Sequence, residues 1–392
     1  MASALVTPKG NEMPPPVSFI FGGISTEYDG SVASLTSVMS TYLELPVDKR
    51  PFRISNLYHV CRADGLVRTI PFNSVFSIDK LHKDIYDGSG VSAQTLLAAF
   101  DTIASRSEYV VNLLHGQFGE DGGAQTLAAI SGVRGTFGDP QVASLTMNKY
   151  AMSSFVSSLL PADMVKVPQT MLVTPRNIAE GVEFAKSIQG PIVVKPNSLG
   201  SSLFSELFYD PDKSGSEIET LLRTIFCYDS SALLQEFISG DEYTCGCIIS
   251  SSGPLSLPVI KIEADSQFCG RDQKYSNHVA RKSVVSRNDT VSRELQGISE
   301  TIASSLDIYN MARFDFRVKG ESEVWFLECN YIPGLAKDGS FHKMLHHHGM
   351  TVIDLISWIV ANSTPFIRPA HYVEYERWKV PGCTDAAKEL AD

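Results

Sequence analysis

The chain has 392 residues, 43% of them hydrophobic and 20% charged, a balance typical of a folded globular protein rather than a disordered one. Its net charge of -11 would repel a nucleic-acid backbone, and Lys and Arg form no stripe interleaved with aromatic residues, so we expect no nucleic-acid partner. The sequence has no run of about 18 consecutive apolar residues, so we expect no membrane span. The 7 scattered cysteines, without CxxC pairs, indicate reduced thiols and a cytoplasmic location.

The first part of the chain predicts strands that alternate with helices. Residues 17–21 form an apolar strand that ends at two glycines, and residues 31–43 have helical spacing. A second strand over residues 109–114 runs into a glycine-rich loop that begins at His115, and a helix over residues 124–130 follows. This order is typical of an α/β domain whose ligand-facing loops lie at the ends of the strands.

From about residue 142 the pattern changes to a small α+β unit and then to a region rich in strands. A polar stretch over residues 265–288 is long enough to be a mobile loop or lid. The predicted helices cover residues 142–159, 177–189, 291–306 and 352–360, and the predicted strands cover residues 169–173, 191–196, 233–237, 242–249, 255–262, 312–318 and 323–329.

Two late strands carry polar side chains among apolar ones. Asp315 lies in one strand, and Glu328 and Asn330 lie two residues apart in the next, so that these two share a face. Three oxygen-bearing groups on paired strands would suit a divalent cation such as Mg²⁺. The same spacing is equally compatible with a buried ion pair between Asp315 and Arg313 or a lysine.

Two further segments are ambiguous by themselves. Lys195 precedes a loop with glycine and hydroxyl groups that could wrap over phosphates or form a plain surface hairpin. The segment from Gln235 to Glu242 mixes apolar and acidic residues. This mixture is also what an amphipathic edge strand without a ligand would contain. His346, His347 and His348 are adjacent and point in different directions, which favours a solvated surface over a metal site.

Taken in chain order, these segments resemble the ATP-grasp superfamily and, within it, the D-alanine–D-alanine ligase family. The resemblance covers about residues 17–360. The matching segments are Phe21-Gly22-Gly23-Ile24-Ser25-Thr26-Glu27, His115-Gly116-Gln117-Phe118-Gly119-Glu120-Asp121-Gly122, Met147-Asn148-Lys149, Val194-Lys195-Pro196 with Gly200-Ser201-Ser202, Gly240-Asp241-Glu242, Lys274-Tyr275, Arg313-Phe314-Asp315-Phe316, and Glu328-Cys329-Asn330 through Pro333-Gly334.

The resemblance implies an α/β (α+β) chain with the ATP-grasp fold, in which two α+β domains enclose ATP behind an N-terminal doubly wound parallel-sheet domain. The implied segments are a flexible lead (1–16), the N-terminal substrate-binding domain (17–140), the central ATP-grasp domain (141–235), the C-terminal ATP-grasp domain with metal site and lid (236–365) and a tail (366–392).

The resemblance also implies an activity and a set of site residues. The chain would be an ATP-dependent ligase that activates one amino acid as an acyl phosphate and joins it to the amine of another. Catalysis would involve Glu27, Ser201, Tyr275, Arg313 and Gly334, and the amino acids would contact Glu27, His115 and Ser340. ATP would contact Lys149, Lys195, Ser201, Ser202, Gln235, Glu236, Ile238 and Glu242, and two Mg²⁺ ions, or Mn²⁺, would bind Asp315, Glu328 and Asn330.

Departures from the family pattern lie mainly where the second substrate and the lid are expected. The path to Ser340 is one residue longer than usual, Gln235 replaces a glutamate, and Phe204 replaces a glycine with a ring that could reshape the pocket. Two D-alanines are the leading substrates. The alternatives are a ligase of other amino acids, L- or non-proteinogenic, in natural-product biosynthesis, and a non-catalytic nucleotide-binding protein. The family also implies a homodimer.

Overall fold

The computed structural model describes residues 16–87, 92–263, 281–320, 322–362 and 366. The predicted site residue Tyr275, most of the predicted lid and the tail beyond residue 366 lie outside the described residues. No described helix combines the length and hydropathy needed to cross a bilayer.

The first sheet has a parallel centre, as predicted. Its described strands are ordered β4-β3-β2-β1-β5-β6; β2, β1, β5 and β6 are parallel, and β3 and β4 extend one edge in antiparallel fashion. The elements are β1 (Pro16–Gly22), α1 (Tyr28–Glu44), β2 (Arg53–Val60), β3 (Val67–Pro71), α2 (Ile78–Asp87), β4 (Ala93–Gln94), α3 (Leu96–Ser105), β5 (Tyr109–Asn112), α4 (Gly123–Ser131) and β6 (Arg134–Gly135).

Helices cover both faces of this sheet because its central strands β1 and β5 are buried, and mostly apolar, on both faces. On β1, Phe19 and Phe21 pack into one core with Leu35 of α1, whereas Ile20 faces a second core that includes Phe100 of α3. The arrangement is therefore doubly wound. Sequence patterns did not predict the strands of this sheet between residues 53 and 94.

The second and third sheets are antiparallel in every described pairing and follow in chain order, β7-β10-β8-β9 and then β14-β13-β11-β15-β16, with β12 paired to β11. The elements are α5 (Pro140–Met147), α6 (Lys149–Leu159), β7 (Thr170–Val173), α7 (Ile178–Ser187), β8 (Ile192–Pro196), β9 (Glu206–Phe208), α8 (Gly215–Ile225), β10 (Ala232–Glu236), β11 (Asp241–Ser250), β12 (Gly253–Ser256), β13 (Ile260–Glu263), β14 (Arg281–Val284), α9 (Thr290–Ser305), β15 (Met311–Lys319), β16 (Glu323–Asn330), α10 (Ser340–His348) and α11 (Val352–Asn362).

Three element predictions need correction. The helix expected over residues 142–159 is broken at Asn148, whose extended backbone and side chain, which accepts a hydrogen bond from the Ala151 N–H, begin a new helix. The strand expected over residues 255–262 is two strands, β12 and β13. Part of the polar stretch expected to be a loop forms β14, which pairs with β13.

The cysteines behave as the composition suggests. Cys61, Cys227, Cys245, Cys247 and Cys329, which are the cysteines among the described residues, are free thiols. Burial raises the pKa of Cys245 to about 12, so this thiol is a protonated apolar filler at neutral pH.

Candidate active site

A cleft between the second and third sheets gathers every residue predicted to contact ATP. The cleft holds about 870 Å³ of space, including its open mouth. The predicted residues that line it are Lys149, Lys195, Ser201, Ser202, Gln235, Glu236, Ile238 and Glu242. Asp315 and Glu328, two of the predicted metal ligands, also line the cleft.

The two lysines reach the cleft from different elements. Lys149 is the first residue of α6, placed there by the Asn148 cap; its Nζ donates to the Leu199 carbonyl at 2.7 Å and lies 3.6 Å from Glu328 Oε2. Lys195 lies on β8. Burial lowers the pKa of Lys195 to about 8; nearby Lys149 adds to the decrease, and Glu328 opposes it. The negative charge of a polyphosphate placed here would favour the protonated, charged form of Lys195.

The loop after β8 has a strained backbone. Ser201, Ser202 and Phe204 have φ values of 55°, 53° and 53°, in the left-handed region that non-glycine residues rarely adopt. Such conformations cost about 1–3 kcal/mol each and cluster at ligand clamps. The Phe204 ring does not reshape the cleft as expected. It stacks on Tyr228 with centroids 4.9 Å apart, and Phe204 is not among the described residues that line the cleft.

Gln235 lines the cleft, and a hydrogen bond to Thr170 holds its side-chain amide. Its Nε2 donates to Thr170 Oγ1 at 2.9 Å, and the Thr170 hydroxyl in turn donates to the Pro168 carbonyl at 2.8 Å. Because the threonine proton is used, the Thr170 oxygen can only accept, which fixes the orientation of the amide. This geometry is compatible with the predicted contact between Gln235 and ATP.

The three predicted metal ligands come together on paired strands. Asp315 of β15 pairs with Glu328 of β16, and Arg313 pairs with Asn330. Asp315 is 8% exposed and accepts hydrogen bonds from Thr244 Oγ1 (2.5 Å), from Arg313 Nε (3.0 Å) and Nη2 (2.9 Å), and from Asn330 Nδ2 (3.1 Å). The sequence left two alternatives open, an ion pair between Asp315 and Arg313 and a cluster of oxygen-bearing groups with Glu328 and Asn330. Both are present in the structure.

This donor set fits a hard divalent cation. The ligands would be carboxylate and amide oxygens, as Mg²⁺ prefers. A carboxylate offers about four acceptor positions, and all four protein hydrogen bonds to Asp315 occupy them, so metal binding would replace at least one. Among the described residues no three His, Cys, Asp or Glu side chains form a metal cluster; the predicted set has two carboxylates and one amide. Of the adjacent histidines, His346 and His347 are exposed.

A second, smaller pocket adjoins the cleft and shares Lys149, Gly200 and Glu328 with it. The N-terminal domain contributes Glu27 and Glu120, and β16 and the segment after it contribute Asn330 and Tyr331. Ser201 Oγ donates to Glu27 Oε1 at 2.8 Å across this junction. The predicted neighbours Glu27 and Ser201 thus connect the first sheet to the strained loop.

Glu120 lines the smaller pocket, whereas the predicted substrate residue His115, in the same loop, is not among the described residues that line either pocket. His115 Nε2 lies 3.1 Å from Ser34 Oγ, and burial lowers the pKa of His115, which favours the neutral imidazole. Glu120 accepts from the backbone N–H groups of Gly116 (3.0 Å) and Ile332 (3.1 Å), and burial, with Glu27 adding to it, raises the pKa of Glu120 to about 8.

Sequence reasoning assigned no role to Glu120, Thr244 or Arg317. Glu120 stood inside a matching segment, and Arg317 lies two residues beyond Asp315, so a search along the same strand face could have found the latter. Arg313, Gly334 and Ser340 are not among the described residues that line the two pockets. Gly334 lies beside Ser34, whose hydroxyl accepts from the Leu335 N–H at 3.1 Å, and Ser340 is the first residue of α10.

Comparison with known proteins decides the family. Residues 162–361, slightly more than half of the chain, match the family model described as the D-ala D-ala ligase C-terminus. The chain belongs to the D-alanine–D-alanine ligase family. This membership confirms the predicted resemblance, the ATP-grasp fold class and the predicted class of enzyme, an ATP-dependent amino-acid ligase.

Individual members of the D-alanine–D-alanine ligase family are distant relatives. The D-alanine–D-alanine ligase of Borrelia turicatae is 25% identical over 357 residues, which cover 87% of this chain and 92% of the relative. That of Clostridium beijerinckii is 27% identical over 265 residues, 67% of this chain and 82% of the relative.

Solved structures of the family share the fold. The VanG D-Ala:D-Ser ligase from Enterococcus faecalis superposes with a TM-score of 0.71 at 21% identity, over 89% of this chain and 99% of that one. The D-alanine–D-alanine ligase from Bacillus anthracis complexed with ATP superposes with a TM-score of 0.59 at 19% identity, over 89% and 96% of the two chains.

Proposed function

We propose that this chain uses ATP and Mg²⁺ to activate the carboxylate of one amino acid and joins it to the amine of a second, with D-alanine as the leading substrate at both positions. The observation that carries the proposal is the convergence of all eight predicted nucleotide residues on one cleft that adjoins the pocket of Glu27 and Asn330. The relatives named as D-alanine–D-alanine ligases support this choice of substrate.

The cleft provides charge where phosphates would lie. ATP supplies the phosphoryl group that makes a carboxylate electrophilic, and Mg²⁺ held by Asp315, Glu328 and Asn330 would neutralise its charge. Lys149 and Lys195 contribute cations from two elements, and the strained loop with Ser201 and Ser202 covers the same region. Catalysis would then depend on positioning and electrostatics.

The smaller pocket suits the first amino acid. Glu27 presents a carboxylate, fixed by Ser201, to an ammonium group, and neutral His115 lies near the expected carboxylate. Burial lowers the pKa of Arg313, but Asp315 more than offsets this, so the guanidinium stays charged and can stabilise the developing negative charge. Gly334 would add a backbone N–H, Tyr275 would join Glu27 and Ser201, and Ser340 would bind the carboxylate of the second amino acid.

The finer features remain proposals that follow from the family: two metal ions, a homodimer, a cytoplasmic location, and no nucleic-acid or membrane partner. The acceptor is the least constrained of these features, because Ser340 lies outside the lining of both pockets. One structural relative is named as a D-Ala:D-Ser ligase, so acceptors other than D-alanine belong in any test.

The test is phosphate release from ATP with Mg²⁺ and pairs of D- or L-amino acids, followed by mass spectrometry of the product. We expect release only with both metal and amino acid, and a dipeptide mass. Glu328→Gln should lower kcat at least about 100-fold because it removes the negative charge of a proposed metal ligand. Glu323→Gln, on the same strand but partly exposed, should leave kcat unchanged. Tight ATP binding without phosphate release for any pair would instead indicate a non-catalytic nucleotide-binding protein.

A further inference from the structure

Arg317 is a buried cation at the nucleoside end of the cleft. It lies on β15, is 6% exposed and lines the cleft together with Phe237, Ile238 and Glu242. These residues belong to the turn between β10 and β11 (residues 237–240) and to the start of β11. A buried guanidinium is unfavourable unless its donors and its charge are matched, so its contacts indicate what it holds in place.

The guanidinium contacts successive parts of this turn. Arg317 Nη1 donates to the carbonyls of Ile238 at 3.0 Å and Gly240 at 3.4 Å, and Nη2 lies 3.4 Å from Glu242 Oε2. The guanidinium carbon lies 4.9 Å from the centroid of the Phe237 ring. A planar group with donors in a fixed fork can make these contacts together, whereas a lysine ammonium cannot.

The backbone brings the turn close enough for these contacts. Glu242 and Arg317 are directly paired on neighbouring antiparallel strands, so their side chains share a face. Gly240 has a φ of +138°, and a Cβ at this position would lie 2.4 Å from the Val318 carbonyl oxygen. The turn therefore packs directly on β15, with Arg317 beneath the residues that face the cleft.

We propose that Arg317 is a positioning residue that sets the orientation of Glu242 toward the ribose hydroxyls and of the Ile238 backbone toward the base. The proposal rests on the proposed nucleotide role of the cleft and adds a residue to it. The Ile238 carbonyl is held by the guanidinium, which fixes the peptide plane. The attraction at Glu242 Oε2 limits rotation of the carboxylate. Loss of Arg317 should therefore weaken recognition of the nucleoside, whereas the lysines at the phosphate end keep their places.

The experiment is calorimetric binding of Mg-ATP, 2′-deoxy-ATP and 3′-deoxy-ATP to the full chain. Unaltered protein should prefer ATP over at least one deoxy analogue by about tenfold or more, the size of a hydrogen bond to a charged group. Arg317→Met should weaken binding of all three nucleotides through the shared base, and should weaken ATP about tenfold more than the disfavoured analogue, so that the preference falls below about threefold. Arg317→Lys, which keeps the charge without the fork, should also lose most of the preference.

Lys319→Met is the matched control, because Lys319 is an exposed cation on the same strand. It should keep both affinity and preference. Thermal unfolding of each variant reports whether it is folded. If Arg317→Met does not fold, the nucleotide preference of Arg317→Lys tests the proposal. Equal weakening of all three nucleotides, or an unchanged preference in the folded Arg317 variant, would overturn the proposal. Unaltered protein that binds ATP without any preference would overturn it too. Unaltered protein that binds no nucleotide would overturn the proposed function itself, and this proposal with it.

Discussion

Lys195 shows how one partly buried side chain in the cleft can set a pH dependence. Its amine lies in the cleft where burial and nearby Lys149 lower its pKa to about 8, while Glu328 and Glu242 partly compensate. Only the protonated amine attracts phosphate. Free protein therefore loses this charge as the pH rises through about 8, and bound polyphosphate, by favouring the charged form, moves the pKa upward again.

We expect kcat/KM for ATP to fall above about pH 8, because that ratio reports ionisation of the free enzyme, whereas kcat should fall only at higher pH. Lys195→Arg should move the fall in kcat/KM upward, since a guanidinium stays charged. Lys166→Arg, a lysine on the protein surface that is paired with Glu323, should leave the profile unchanged. A profile of kcat/KM that is flat to pH 10 in the unaltered enzyme would contradict the assignment of Lys195 to phosphate.

At the scale of elements, the loop between β8 and β9 joins the cleft to the smaller pocket. Gly200 lines both pockets, and a Cβ at this position would lie 2.3 Å from Glu27 Oε2. The loop can therefore approach Glu27 only because residue 200 lacks a side chain. Ser201, next in the chain, then donates its hydroxyl to the same carboxylate.

Gly200→Ala should push the Glu27 carboxylate away from Ser201 and raise KM for the first amino acid at least about tenfold, the value of a hydrogen bond to a charged group. KM for ATP should change less, because the lysines are on other elements. Steady-state kinetics with each substrate varied separately would show this split. Gly297→Ala is the control, since a Cβ at this position in α9 meets only open space. A larger effect on ATP than on the amino acid would refute this interpretation of the loop.

At the scale of the whole molecule, elements far apart in the chain share cores. Phe341 and Met344 of α10 and Ile356 of α11 pack in the same core as Phe19 of β1 and Leu35 of α1. The helices that end the described part of the C-terminal domain thus support the N-terminal sheet. The cleft lies between the second and third sheets, and the smaller pocket between these and the first. Ligand binding should therefore stabilise the molecule as a unit.

We expect Mg-ATP at 100 times its Kd to stabilise the folded chain by about 2.7 kcal/mol, because it binds the assembled cleft and not the unfolded chain. Thermal unfolding with and without Mg-ATP measures this as a rise in Tm. The double variant Lys149→Met with Lys195→Met should lose most of the rise at the same ATP concentration, and Lys166→Met should keep it. If the double variant kept the full rise, the phosphate end of the cleft would lie elsewhere.

The sequence by itself determined the local elements and the candidate chemistry. Apolar periodicity placed most strands and helices within a few residues, because side-chain burial repeats with the geometry of each element. The chain order of the motifs identified the family and supplied the candidate site residues, since each motif is a local pattern. Apolar periodicity failed at Asn148, where a side-chain cap broke a continuous helical pattern. It also failed between residues 53 and 94, where the strands carry little periodicity.

Only the tertiary structure decided what meets across distance. The bond from Ser201 to Glu27 joins residues 174 apart, and that from Glu120 to the Ile332 N–H joins residues 212 apart. It also decided that Asp315 takes both an arginine and an amide as partners, and that Arg317 lies beneath the turn beside the cleft. Such contacts depend on how sheets pack and which strands pair. A local pattern carries no record of them, because many packings would bury the same apolar faces.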